Sequence, residues 1–247
     1  MVKFAVLCTK VVVATIVALL FSSCQIKDIH FGDGIDGNGN VTTQNRSVEN
    51  NFSKIEVSRG LTVTIEQSNK YNVEVEADDN LQEHITTKVE NGTLIITSDE
   101  NIDKAKAKNI HVKLPELSAI ETTSGSSAST INFFTGTNVV VKTSSGSQAE
   151  LNLEFDNIKC ESTSGSTLNL KGKALKLQSH SSSGSTIDAK GLLVNDVIAE
   201  ATSGSSTDVH PGVSISAKAS SGSSIDYFGS PKTVSKEESS GGSVSKE

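Results

Sequence analysis

Six copies of Ser-Gly-Ser divide the second half of this chain at nearly equal intervals. Their glycines are Gly125, Gly146, Gly165, Gly184, Gly204 and Gly222, with gaps of 21, 19, 19, 20 and 18 residues. A degenerate seventh copy, Ser240-Gly241-Gly242-Ser243, follows after 19. Self-similarity at a period near 20 residues is the signature of a solenoid, in which each copy is one coil that buries its apolar face against the next. Short strand-like segments and the near absence of helix signals make it a β-solenoid.

Aligning the copies on the glycine separates inward from outward positions. Seven before it stand Ser118, Val139, Ile158, Leu177, Val197 and Ile215; five before it, Ile120, Val141, Cys160, Ser179, Ala199 and Ala217. Three after it come Ala128, Ala149, Leu168, Ile187, Thr207 and Ile225, and five after it Thr130, Leu151, Leu170, Ala189, Val209 and Tyr227. These mostly apolar columns alternate with polar ones, as the two faces of a pleated strand require. Composition agrees: aromatic residues are only 4%, with no Trp and one Met. A core of small and β-branched side chains suits the narrow lumen of a short coil.

The outward columns carry the chemistry. Four before each glycine stand Glu121, Lys142, Glu161, His180, Glu200 and Lys218, continued by Glu237. Stacked in register, opposite charges alternate up one face, and the column reads as a register device rather than a catalytic one. Around the glycine runs a Ser/Thr ladder from Thr123-Ser124 to Ser220-Ser221, which reads as turn chemistry. Four after the glycine stand Ser129, Glu150, Asn169, Asp188, Asp208 and Asp226. Asp188, Asp208 and Asp226, extended by Asn169, are expected side by side with no cation between them. They form either a solvated acidic face or a weak calcium site, with Asp208→Asn expected to relieve repulsion. No other cofactor is indicated.

Residues 48–118 form a β-rich N-terminal half ahead of the repeat half at 119–247. Ile55/Val57, Leu61/Val63/Ile65, Val73/Val75, Leu94/Ile96 and Ile110/Val112/Leu114 alternate with period two. Asn91-Gly92 between two such runs predicts a type I′ hairpin. Asp78 to Thr86 and Asp99 to Lys108 are the breaks, and Pro115 closes this half.

Residues 1–23 have the form of a secretory signal: Lys3 and Lys10, an apolar run from Val11 to Phe21, then Ser22-Ser23-Cys24. The run is too short to span a bilayer. The small-small-Cys ending resembles a bacterial lipoprotein box, with Cys24 the lipidated residue and Phe21 where Leu is usual. Ordinary signal cleavage with a spare Cys is the alternative. Cys8 leaves with the signal, so Cys160 alone remains, in a core column, and no disulfide framework or paired-Cys metal site exists. Residues 24–47 read as a polar tether. The stretch Asp36-Gly-Asn38-Gly-Asn40 imitates a calcium loop but puts Val41 where an EF-hand needs Gly and Ser47 where it needs Glu.

Removing Lys3 and Lys10 takes the formal charge from −7 to −9, which argues against nucleic acid as a partner. The five histidines are scattered, and coil lengths varying by only three residues leave no loop to build a catalytic cleft.

The Ser-Gly-Ser coils resemble the head GIN domain family, an auto-transporter adhesin domain of Bacteroidetes lipoproteins. So do Asn38-Gly39-Asn40 leading to Arg46-Ser47-Val48, Phe52-Ser53-Lys54-Ile55-Glu56-Val57, Val89-Glu90-Asn91-Gly92-Thr93-Leu94-Ile95-Ile96 and Val112-Lys113-Leu114-Pro115. The resemblance covers roughly residues 38–247. It implies a right-handed single-stranded β-helix in both halves, an envelope location and no catalytic residues. The expectation is therefore an outer-membrane lipoprotein, facing the periplasm or the cell surface. It would be a non-catalytic adhesion module with the membrane as partner through its anchor and glycan or protein surfaces as ligands. A purely structural envelope protein is the alternative, and a polysaccharide-acting β-helix enzyme the less favoured one.

Overall fold

A computed structural model describes residues 34–247; the signal segment and Cys24 lie outside the described residues. The strands of the first half are β1 (Ile35–Asp36), β2 (Val41–Asn45), β3 (Lys54–Val57), β4 (Thr62–Gln67), β5 (Asn72–Asp78), β6 (Ile85–Glu90), β7 (Thr93–Ser98), β8 (Ile102–Lys104) and β9 (Lys108–Leu114). Those of the second are β10 (Ala119–Thr122), β11 (Ser127–Thr130), β12 (Phe134–Thr143), β13 (Gln148–Ser162), β14 (Thr167–Ser181), β15 (Thr186–Ala201), β16 (Ser206–Ala219), β17 (Ser224–Tyr227), β18 (Thr233–Glu238) and β19 (Ser243–Lys246). One 3-10 turn, Asp79–Leu81, is the only helical element among the described residues. No helix among them is long and apolar enough to cross a membrane.

The repeat half is the β-solenoid that the glycine spacing predicts. Strands β12 to β16 stack in parallel with matched residues one repeat apart: Val141 beside Cys160, Cys160 beside Ser179, Ser179 beside Ala199, Ala199 beside Ala217. These inward residues are buried, as are Leu151, Leu170, Ala189 and Val209 from the other arm of the coil. Inward alternation slips by one residue midway between turns. Two successive exposed or half-exposed positions occur at Asp156–Asn157, Leu175–Lys176 and Asn195–Asp196, so the strand bends there into a second corner.

Each Ser-Gly-Ser makes the first corner, and its two serines do different work. The first, such as Ser164, adopts a left-handed backbone at φ 53 next to Gly165 at φ 69. The amide of Gly146 donates to the Ser164 carbonyl, and that of Gly165 to the Ser183 carbonyl, each at 3.1 Å, so the turns are tied in one line along the axis. The serine after the glycine is buried, and its hydroxyl donates to a carbonyl of the preceding coil. Ser147 reaches Thr122 at 2.8 Å, Ser166 reaches Thr143 at 2.9 Å, and Ser223 reaches Ala201 at 2.8 Å. A buried hydroxyl ladder of this kind satisfies carbonyls that a turn would otherwise leave bare.

The N-terminal half is a solenoid with antiparallel additions. Strands β3 and β4 form one parallel coil, joined by an Arg59–Gly60 turn with φ 58 and 68. That coil lies between β10/β11 on one side and β7/β9 on the other. Strands β5 and β6 then pair antiparallel to β9 and β7, and β2 antiparallel to β5. The single-stranded helix implied for both halves therefore holds for the repeat half and is elaborated in the first. Asn91 (φ 50) and Gly92 (φ 74) turn β6 into β7, as the I′ hairpin requires.

The expected tether at 24–47 needs correction from Ile35 onward. Strand β1 pairs with β8, β2 pairs with β5, and Asn38 to Asn40 clamp the Asp78–Asn80 turn. Buried Asp78 accepts the Gly39 amide at 2.8 Å and the Ala107 amide at 3.0 Å, while Asn40 donates to Asp79 at 2.7 Å. Burial alone would push the Asp78 carboxyl up. The backbone amides of Gly39, Ala107 and Lys106 outweigh it and hold the group below the usual carboxylate range. The calcium-like Asp-Gly-Asn string is thus a set of donors and turns closing that end of the fold.

At the C-terminal coil the lumen ends in charge. Lys236 and Glu238 occupy inward columns, beside Ala217 and Ala219. The Lys236 ammonium donates to the Val244 carbonyl at 2.8 Å and lies 5.0 Å from the Tyr227 ring centre, and Glu238 accepts the Val244 amide at 2.6 Å. Inward-pointing charge is one of the devices by which sheet edges avoid pairing with other chains.

Candidate functional site

Strand register converts each outward position into a stripe along the axis, so any site on this molecule is a repeated one. Three stripes cover the arm between the bend and the Ser-Gly-Ser corner. The first holds Asn138, Asn157, Lys176, Asp196, Ser214 and Thr233; the second, Val140, Lys159, Gln178, Ile198, Ser216 and Ser235. Within the first, the Asn157 amide donates to Asn138 at 3.1 Å and the Ser214 hydroxyl to Asp196 at 2.6 Å. Between them runs a groove of about 610 Å³ that crosses six strands. Its rims carry amides, hydroxyls, two lysines and one carboxylate, but most of its exposed surface is apolar, from Val140, half-exposed Ile198 and the edges of Val139, Ile158, Leu177 and Ile215. Sequence reasoning missed this groove because neither stripe carries a motif; only the register brings the residues together.

The third stripe is the predicted charge column, in order: Glu121 beside Lys142, then Glu161, His180, Glu200, Lys218 and Glu237. Lys218 pairs with Glu237 at 2.8 Å, and His180 approaches Glu200 at 3.6 Å. Exposed pairs of this kind are screened by solvent and contribute little to stability.

On the other arm, Asn169, Asp188, Asp208 and Asp226 are register neighbours, side by side as the alignment predicts. The expectation that no cation stands among the carboxylates fails. The Lys190 ammonium pairs with Asp208 at 2.9 Å and lies 5.3 Å from the Phe228 ring centre, while its backbone amide donates to Asp188 at 3.1 Å. The Asp208 hydrogen bond and charge, with Asp188 and Asp226 behind them, raise the Lys190 pKa. Burial, then the charges of Asp208 and Glu247, push the Asp226 carboxyl above its ordinary range, with Lys190 opposing. Lys190 follows Asp188 by two residues, and the return of the chain over Asp208 is a tertiary event that spacing does not announce. Among the described residues no group of three or more His, Cys, Asp or Glu side chains is arranged to hold a metal ion.

Cys160 is buried in the lumen, and burial pushes its thiol up to about 12, which suits a packing residue rather than a nucleophile. A second groove of about 580 Å³ follows the bend, floored by Phe155, Ala174 and Val194. Leu175 and Leu193, each 51% exposed, stand on its rim.

The sequence matches the family described as "Putative auto-transporter adhesin, head GIN domain" over residues 51–231. A putative adhesin from Bacteroides fragilis superposes with TM-score 0.81 at 22% identity, covering 87% of this chain and 100% of that one. A putative adhesin from Parabacteroides distasonis gives 0.71 at 22%, over 87% and 100% of the two chains. A protein of the same species described as a putative lipid binding protein gives 0.66 at 22%, over 86% and 99%. At these identities the likeness establishes the fold. Among curated protein sequences none matches. The family match spans most of the chain and both halves of the solenoid, and this protein belongs to the head GIN domain family of putative auto-transporter adhesins.

Proposed function

We propose that this chain is a lipid-anchored, non-catalytic adhesion module of the cell envelope that holds an extended glycan along its solenoid axis. The observation that carries the reading is the six-strand groove between the Asn138–Thr233 and Val140–Ser235 stripes. Stacked strands repeat at about 4.8 Å, close to the rise of one sugar in an extended pyranose chain. Amides and hydroxyls at that interval, over a mostly apolar floor, suit the hydroxyls and ring faces of successive sugars in a polymer better than a single small molecule. The Ser22-Ser23-Cys24 ending of an apolar signal supports the anchor. Coils of even length support the absence of catalysis, because they offer no long loop to gather reacting groups.

The test is a glycan array probed with the chain from residue 25 onward, alongside Lys176→Glu and Gln178→Ala variants. The reading expects binding to a linear glycan that rises with its length and falls about tenfold or more in Lys176→Glu, the loss of one charge-assisted contact plus repulsion. Failure to bind any glycan, with the fold intact, favours the purely structural reading. The anchor is tested separately: Cys24→Ala abolishes labelling by palmitate and releases the protein from membranes.

A further inference from the structure

The bend midway between successive turns carries one outward column whose last five members are complementary to the same five in reverse order. Preceded by exposed Thr137, which lies before Asn138, these five stand one residue before the register-matched series Asn157, Lys176, Asp196, Ser214 and Thr233 and are Asp156, Leu175, Asn195, Val213 and Lys232. In order these are acidic, apolar, amide, apolar and basic. All five are exposed, with Leu175 at 51% and Val213 at 45%, and Leu193 at 51% stands on the same coil as Asn195. In a chain so poor in large side chains, three aliphatics held out to solvent along one edge are a costly arrangement unless something covers them.

We infer that a second copy of this chain covers this edge, packed antiparallel about a two-fold axis at the level of Asn195. Under that symmetry each residue meets the one equidistant from Asn195. Asp156 of one copy meets Lys232 of the other, Leu175 meets Val213, and the Asn195 amides meet each other. Leu193, level with the axis, meets its own counterpart. In the neighbouring column of Glu154, Lys173, Leu193 and His210 the same axis sets Lys173 against His210, which offers no opposite charge, so the attraction comes from the first column. Opposite charges at the two ends favour a second copy over an anionic lipid surface, which calls for cations along the whole edge.

The contact is a strip. Its ends, four strand spacings apart, are separated by about 19 Å. A strip of that length and two side chains in width buries only a few hundred Å² per copy, below the roughly 800 Å² per partner of a standard interface. The dimer is therefore weak in free solution and strengthens where copies are concentrated, as on a shared surface.

Sedimentation equilibrium on the chain from residue 25 onward, which contains the whole described fold, tests this up to millimolar protein. A monomer–dimer equilibrium is expected. Asp156→Lys and Lys232→Asp should each weaken it by about tenfold or more, because the two-fold axis doubles every change. Combining them should restore it to within about threefold, since the charges are exchanged rather than removed. Leu193→Ser should abolish dimerisation with the melting temperature unchanged, as the side chain is at the surface. A wild type that stays monomeric at millimolar concentration overturns the inference, as does a double variant no better than either single one. Binding of the wild type to anionic phosphatidylglycerol vesicles that is lost in Leu193→Ser, without any dimer, assigns the edge to lipid instead.

Discussion

At the scale of single residues, the repeat unit separates two uses of glycine that sequence does not distinguish. Gly165 has φ 69, and a side-chain carbon there would find nothing within 4 Å. Its requirement is purely conformational. Gly172 has φ 123, and the same carbon would stand 2.1 Å from the Leu153 carbonyl oxygen. Gly165→Ala should therefore cost about 1–2 kcal/mol, the penalty of a left-handed backbone for an ordinary residue. Gly172→Ala should cost more than about 3 kcal/mol, because backbone must move as well. Urea unfolding of the two variants decides it, and equal losses would mean that the Ser-Gly-Ser ridge is not open. In sequence the serine after each glycine reads as turn chemistry; its bond to the coil before adds a bridge that the motif alone does not show.

At the scale of stacked elements, register turns separate residues into one electrostatic object. The aspartate row was legible from the alignment, and Lys190 within it was not. With Lys190 committed to Asp208, the expected benefit of Asp208→Asn reverses: that variant loses an ion pair and should melt slightly lower. The carboxylate under strain is Asp226. Its folded pKa lies above the unfolded value, so the folded state holds the proton more tightly and loses relative stability as pH rises through that interval. Asp226→Asn should raise the melting temperature at neutral pH by on the order of 1–2 °C. The gain should vanish at pH values below the ordinary carboxylate range, where Asp226 is neutral in both states. Melting curves of the two single variants at pH 7 and pH 3 measure both signs.

At the scale of the whole molecule, a stack of parallel coils has two ends, and each is closed differently. Antiparallel β5, β6 and β2 cover the N-terminal end, and Lys236 with Glu238, both exposed, reach across the open lumen to Val244 at the other. Replacing both charges, Lys236→Val with Glu238→Ala, would present an apolar lumen beside unpaired strand edges. The folded variant should associate end to end, seen as light scattering that grows with concentration while the wild type stays within its weak dimer. Scattering equal to that of the wild type would show that the two charges are incidental to solubility.

The repeat half was legible because its physics is one-dimensional. A period near 20 residues, a glycine where the backbone must turn and a two-residue alternation fix which side chains face the lumen and which neighbours they meet. The Asn91-Gly92 hairpin was legible for the same reason, as a local backbone rule. Three things required the folded chain. Asn38 to Asn40 close on Asp78 and Asp79 some forty residues away, so their composition reads as tether while their partners make them structure. Lys190 folds over a carboxylate of the next coil. The outward columns of the bend, from Asp156 to Lys232, become a surface only when register stacks them, because residues a repeat apart in sequence are about 4.8 Å apart in space.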